Sequence, residues 1–260
     1  MERQETQVLA YHQIDGRADL SWNRVPPERF ARQMELLAAR GWGVVSLRER
    51  AEEGRDRRLA LTFDDALAGV VENALPVLRR LGFRATLFVP TAWIGRENRW
   101  DTRLAGRRAR HASASALRRA ADEGWEIGAH GHTHRDLTRL PDEALAEELR
   151  ECRRAVAGAV GSLPESIAYP FGSVDRRVIE AVRGAGFTRG CLSVSRPGTR
   201  DAFRIGRMGV RRFDGDAEFL AKVEGGFLYP WQVAKDRIAQ FCSLGTPRVR
   251  QRIRRGETAC

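Results

Sequence analysis

At 260 residues, with 42% hydrophobic and 30% charged side chains, the chain can bury one large core and has a globular composition rather than a disordered or fibrous one. No apolar run is long enough to span a bilayer, which excludes a membrane-spanning helix. The net charge of +11 would suit a nucleic-acid partner, but the basic residues are arginines (Lys222 and Lys235 apart) spread among acids, with no aromatics at a motif spacing, which excludes nucleic-acid binding.

The polar start, Met1 to Thr6, has no basic stretch followed by an apolar segment, so a cytoplasmic location is expected. Gln7 to Tyr11 reads as a short apolar strand. Pro26-Pro27 opens a helix with Phe30, Met34, Leu37 and Ala38 on one face, ending at Gly41. Strands follow at Gly43–Leu47 and Leu59–Phe63, then a helix from Gly69 to Leu81. Arg84 to Pro90 is a strand of the fully buried type, and after an Arg- and Trp-rich loop Ser115 to Glu123 is a helix. Trp125–His130 is a strand, Asp142–Ala157 an amphipathic helix, Ile167–Pro170 a strand and Val174–Gly184 a helix. Phe187–Val194 and Phe203–Arg211 read as two further strands, Asp216–Val223 and Trp231–Phe241 as closing helices.

Strand and helix in such alternation predict parallel strands with helical crossovers. Seven or eight strands in one unit predict an α/β barrel, with the active site at the C-terminal ends of the strands. A single domain over residues 1–225 and a C-terminal helix with a basic, frayed tail over 226–260 are expected. In that tail lie Arg248, Arg250, Arg252, Arg254 and Arg255, which would support weak contact with an acidic membrane surface. Cys152, Cys191, Cys242 and Cys260 are widely spaced and read as free thiols, against a cysteine-ligated zinc.

The strand ending at Phe63 is followed by Asp64-Asp65, and the one ending at His130 by Gly131-His132-Thr133-His134. One carboxylate and two histidines make a three-ligand metal site with open positions. Asp65, His130 and His134 would hold the metal, and Asp64 would act as base toward a water. The competing reading makes one aspartate the N-cap of the next helix. His132 is expected to point elsewhere.

Thr62-Phe63-Asp64-Asp65, His130-x-x-x-His134 and Tyr169-Pro170-Phe171-Gly172, in this order between about Val8 and Gly225, resemble the polysaccharide deacetylases, carbohydrate esterase family four. The resemblance implies a distorted (β/α)7-type barrel that removes acetyl groups from an N-acetylhexosamine-containing glycan or glycolipid intermediate. It implies a divalent metal, foremost Zn2+, with Co2+, Ni2+, Fe2+ or Mn2+ as substitutes. It places Tyr169, Pro170 and Phe171 at the substrate, with the Phe171 N–H toward the oxyanion. Trp93 and Trp100 would either stack on sugar faces or pack under their loop.

Three departures stand out. Ala66 occupies a position that is usually glycine, which would alter the local turn. Ala168 stands where an arginine usually orients the base, and Arg207 is the candidate replacement, against an ordinary surface arginine. No histidine follows His134, whereas the family carries a late Leu-x-His. Leu9-Ala10-Tyr11-His12-Gln13-Ile14 resembles the first motif of the circularly permuted poly-N-acetylglucosamine deacetylases, which implies His12 as general acid. The alternatives are a deformylase or other amide hydrolase on the same scaffold, and an inactive carbohydrate-binding protein.

Overall fold

The computed structural model describes residues 7–16, 23–51, 57–98, 109–193, 201–225 and 228–234. Ten strands and six helices lie wholly among them, beside a helical stretch at 229–234: β1 Val8–Tyr11, β2 Gln13–Ile14, β3 Arg24–Val25, α1 Pro27–Ala39, β4 Gly43–Val45, β5 Arg58–Phe63, α2 Ala68–Arg80, β6 Thr86–Val89 and α3 Ala114–Asp122. After these come β7 Glu126–Ala129, α4 Asp142–Val160, β8 Ser166–Ala168, α5 Arg176–Gly184, β9 Arg189–Cys191, β10 Met208–Gly209 and α6 Asp216–Glu224.

Eight of the strands form one curled parallel sheet in the order β10-β1-β5-β6-β7-β8-β9, with β4 pairing alongside β5; β2 and β3 pair separately. This is the distorted β/α barrel expected. The seam between β9 and β10 lacks a full ladder. It is joined by one parallel bridge, Cys191 to Ile205, with Leu192 N–H donating to Ile205 O. The predicted strand Phe203–Arg211 therefore shrinks to Met208–Gly209. Asp201 starts a turn instead, accepting the Phe203 amide on its side chain and the Arg204 amide on its carbonyl.

The sheet strands are apolar on both faces because one face lines the barrel and the other lies under the helices. Tyr11, Phe30, Phe63 and Trp125 pack together between the sheet and α1, Tyr11 edge-on to Phe30 and Phe63 stacked on Trp125 with ring centroids 5.4 Å apart. Each such buried ring contributes roughly 1.5–3 kcal/mol. Gly128 is required where β7 meets β6: a Cβ there would come within 2.6 Å of the Phe88 ring. In α1 the buried face holds Gln33 rather than Ala38, because Gln33 Oε1 accepts the buried Tyr11 hydroxyl at 2.8 Å. Helix α4 runs three residues beyond the prediction, to Val160, and ends at Gly161 in the left-handed region (φ 81°).

At the end of the barrel away from the strand C-termini, Glu126 is buried and accepts three hydrogen bonds. They come from the Arg48 amide at 2.7 Å, the Thr86 hydroxyl at 3.0 Å and the Ser166 hydroxyl at 2.6 Å. The carboxylate thereby ties β6, β7 and β8 to the segment after β4 and is satisfied without a cation. Cys152 and Cys191 are free thiols, as read from their spacing, and both are buried. Trp100, Cys242, Cys260, the tail arginines and the end of the predicted Trp231–Phe241 helix lie outside the described residues. No helix among the described residues is long and apolar enough to cross a membrane.

Candidate active site

Because the strands run parallel, their C-terminal ends collect at one mouth of the barrel, and so do the residues that follow them. Tyr11 is in register with Phe63, and the Asp64 amide donates to Tyr11 O at 2.9 Å, which sets His12 and Asp64 side by side. The His130 amide donates to Val89 O in the same way. Asp65, His134 and Phe171 each adopt a left-handed backbone, with φ of 63°, 60° and 61°. Such conformations cost an L-residue about 1–2 kcal/mol and gather where a site needs a side chain re-aimed.

One donor cluster of metal-ligating type occurs among the described residues: Asp65, His130 and His134, with ligand atoms all within 4.8 Å of one another. Asp65 Oδ1 lies 3.7 Å from His130 Nε2 and 3.4 Å from His134 Nε2. Bonds of about 2.0–2.2 Å at tetrahedral angles place neighbouring donors about 3.3–3.6 Å apart, so the set fits a first-row divalent ion. His130 Nδ1 sits 2.8 Å from Ala168 O. A carbonyl can only accept, so Nδ1 carries the proton and Nε2 presents its lone pair to the cluster. Burial lowers both histidines below their ordinary pKa, and the neutral imidazole is the ligating form.

Asp64 does not cap the helix that follows; the N-cap of α2 is Leu67, with no side-chain bond. Its two oxygens instead receive a fork from Arg207, Nη1 at 2.7 Å and Nη2 at 2.8 Å. Arg207 is completely buried, so the surface-arginine reading is wrong. The guanidinium also donates to the Thr62 hydroxyl at 3.1 Å and to Leu192 O at 2.6 Å, and lies 5.5 Å over the Phe88 ring. Burial pushes the Asp64 carboxyl up, but the Arg207 and His130 interactions outweigh it and hold the group well below the usual carboxylate range.

His12 Nε2 stands 3.8 Å from Asp64 Oδ2, with about a quarter of the side chain open (26%). Burial pushes its pKa down to about 4 against the opposing pull of Asp64, so it rests neutral. Phe171 packs its ring 5.0 Å from the His134 ring. The turn's own bonds use the Gly172 and Ser173 amides, to Tyr169 O and Pro170 O. The Tyr169 side chain takes no part: it is buried away from the mouth and donates to Phe203 O at 2.9 Å. Trp93 is half-buried under its loop, Nε1 donating to Thr133 O at 3.4 Å, which favours packing over an open sugar platform. His132 points away from the cluster, its Nδ1 2.8 Å from the Thr91 hydroxyl.

Two buried groups behind the cluster were missed from sequence. Glu148, on α4, accepts the Thr133 amide at 2.5 Å and the Thr133 hydroxyl at 3.0 Å, fixing the loop between the two histidines. The signal was present: Glu148 falls in helical register with buried Leu145, Leu149 and Cys152. His111, buried in the loop before α3, lies with Nδ1 2.6 Å from Asp65 O. It sits in no periodic pattern, and nothing in the sequence marks it.

The family model for polysaccharide deacetylases matches residues 51–190. That span holds Asp64, Asp65, His130, His134 and Phe171, while His12 and Arg207 fall outside it. YxkH of Bacillus subtilis is 22% identical over 200 residues, 75% of this chain and 66% of YxkH. The poly-beta-1,6-N-acetyl-D-glucosamine N-deacetylase of Staphylococcus aureus is 22% identical over 180 residues, 64% of this chain and 60% of that protein. The chain thus spans 66% and 60% of the length of these two curated relatives. Among solved structures, IcaB from Ammonifex degensii superposes with a TM-score of 0.69 at 21% identity, over 85% of this chain and 97% of IcaB. At that identity the likeness is one of fold.

Proposed function

The chain belongs to the polysaccharide deacetylase family, and from that premise we propose that it is a divalent-metal-dependent hydrolase removing N-acetyl groups from an N-acetylhexosamine-containing glycan or glycolipid intermediate. The observation that carries this reading is the Asp64–Arg207 fork beside an open three-donor cluster. A carboxylate kept ionised next to a Lewis-acid site, and outside the donor cluster, is placed to take a proton from water.

Asp65, His130 and His134 hold the ion, which when bound supplies Lewis acidity toward an acyl carbonyl and toward water. Asp64 takes a proton from the attacking water. Phe171, whose ring packs against His134, donates its backbone N–H to the oxygen that becomes negative as the carbonyl carbon turns tetrahedral. His12, neutral at rest and 3.8 Å from Asp64, receives that proton and delivers it to the leaving nitrogen. Acetate and a free amino sugar leave, and the proton count closes without an outside acid. The test is acetate release from a panel of N-acetylated saccharides. Release from at least one supports the reading; activity confined to non-sugar amides removes the sugar.

His12→Ala should lower turnover by about 10²- to 10⁴-fold, the usual contribution of a general acid, and leave bound metal unchanged. Steady-state kinetics with metal analysis reads both. Loss of metal would make His12 a ligand and end its role as acid.

A further inference from the structure

We infer that His111 is a positioning residue for the metal ligand Asp65: its Nδ1–H holds the Asp65 carbonyl and so stabilises the left-handed turn that aims the carboxylate. The inference rests on the reading of Asp65, His130 and His134 as a metal site.

Asp65 and Ala66 are consecutive L-residues in the left-handed region, at φ 63° and 44°. Glycine would take the second position without steric cost, but the side chain here is a methyl group. The turn is therefore kept by its bonds. Ala112 N–H donates to Ala66 O at 2.7 Å, Ala68 N–H donates to Arg110 O at 2.8 Å, and Leu67 and His111 form an antiparallel bridge. These are backbone contacts that any residue at 111 could support. The 2.6 Å bond to Asp65 O is contributed by a side chain, and a carbonyl acceptor requires Nδ1 to be the donor.

The donor is itself fixed. His111 is buried, its amide donates to Arg96 O at 2.8 Å, and Gly95 N–H donates to Ala112 O at 2.9 Å. The Trp93 ring stands 6.3 Å away. The segment around His111 is thus gripped between the Asp65 turn and the loop after β6. Outer hydrogen bonds of this kind typically change metal affinity by about 10- to 100-fold when removed.

The experiment is a Co2+ titration of the metal-free full chain and two variants, read by the visible spectrum of the bound ion. His111→Asn can place an amide N–H near the position of Nδ1; His111→Leu keeps bulk without a donor. We expect wild type and His111→Asn to bind within about three-fold of each other, and His111→Leu about 10- to 100-fold more weakly with an altered spectrum. If His111→Leu does not fold, His111→Ala serves in its place. Wild-type affinity without the donor overturns the inference, as does His111→Asn binding as poorly as His111→Leu. Failure of the wild-type chain to bind Co2+ overturns the metal reading, and this inference with it.

Discussion

Asp64→Asn should keep its bound metal and lose turnover by about 10²- to 10⁴-fold, the contribution of a general base. Asparagine matches the shape of the carboxylate but cannot take a proton. The three metal donors are on other residues, so the ion is retained. Single-turnover kinetics beside metal analysis separates the two effects. The lost factor corresponds to about 2.7–5.4 kcal/mol of barrier. Metal loss would move Asp64 into the ligand set, and near-wild-type turnover would remove it from the chemistry.

Arg207→Met should cost stability and activity together. The pair is fully buried, and removing one partner strands the other charge, typically at about 3–5 kcal/mol. Chemical denaturation at neutral pH reads that loss. The pH dependence has a definite sign. In the wild-type chain Asp64 has a folded pKa below its unfolded value, so its stabilising contribution is present above the ordinary carboxylate pKa. That contribution fades as pH falls through the folded pKa. Without Arg207 the largest interaction opposing burial is gone, His130 and His12 alone remain against it, and the folded pKa rises. The variant should then be least penalised at low pH and increasingly destabilised as pH rises. The acid limb of its kcat/KM profile should move to higher pH, since the base must be ionised. An acid limb unmoved by the substitution would contradict the assignment of Asp64 as base or of Arg207 as its partner.

The parts of this site readable in advance were those fixed by strand ends. Asp64, Asp65 and His130 each follow a short apolar run, and parallel strands bring such residues to one mouth whatever separates them in sequence. His12 belongs to the same class, because β1 lies next to β5 in the sheet. Arg207 was identified only by the absence of an arginine at Ala168. Its contact with Asp64 spans 143 residues and depends on β10 pairing with β1, a ladder of two residues that periodicity overextended.

The supporting groups were harder to read because their cause is local geometry. Ala66 in the left-handed region defies its residue type, and the compensation comes from residues 110–112, across a loop with no pattern. Glu148 was legible in principle, as a carboxylate on an apolar helix stripe. A turn forms at Pro170–Gly172, where the motif was read, but the Tyr169 side chain faces the core between α4 and α5, because its hydroxyl finds Phe203 O there.

In the proposed mechanism Asp65, His130 and His134 hold one divalent ion on which deacetylation depends. Stripping the purified chain with a chelator and titrating Zn2+ back while following acetate release tests it most directly. The account predicts that the stripped chain is inactive and that release is restored in proportion to bound metal, saturating at one ion per chain; His134→Ala should not be restored. Acetate release that survives stripping, or that returns fully in His134→Ala, would contradict it.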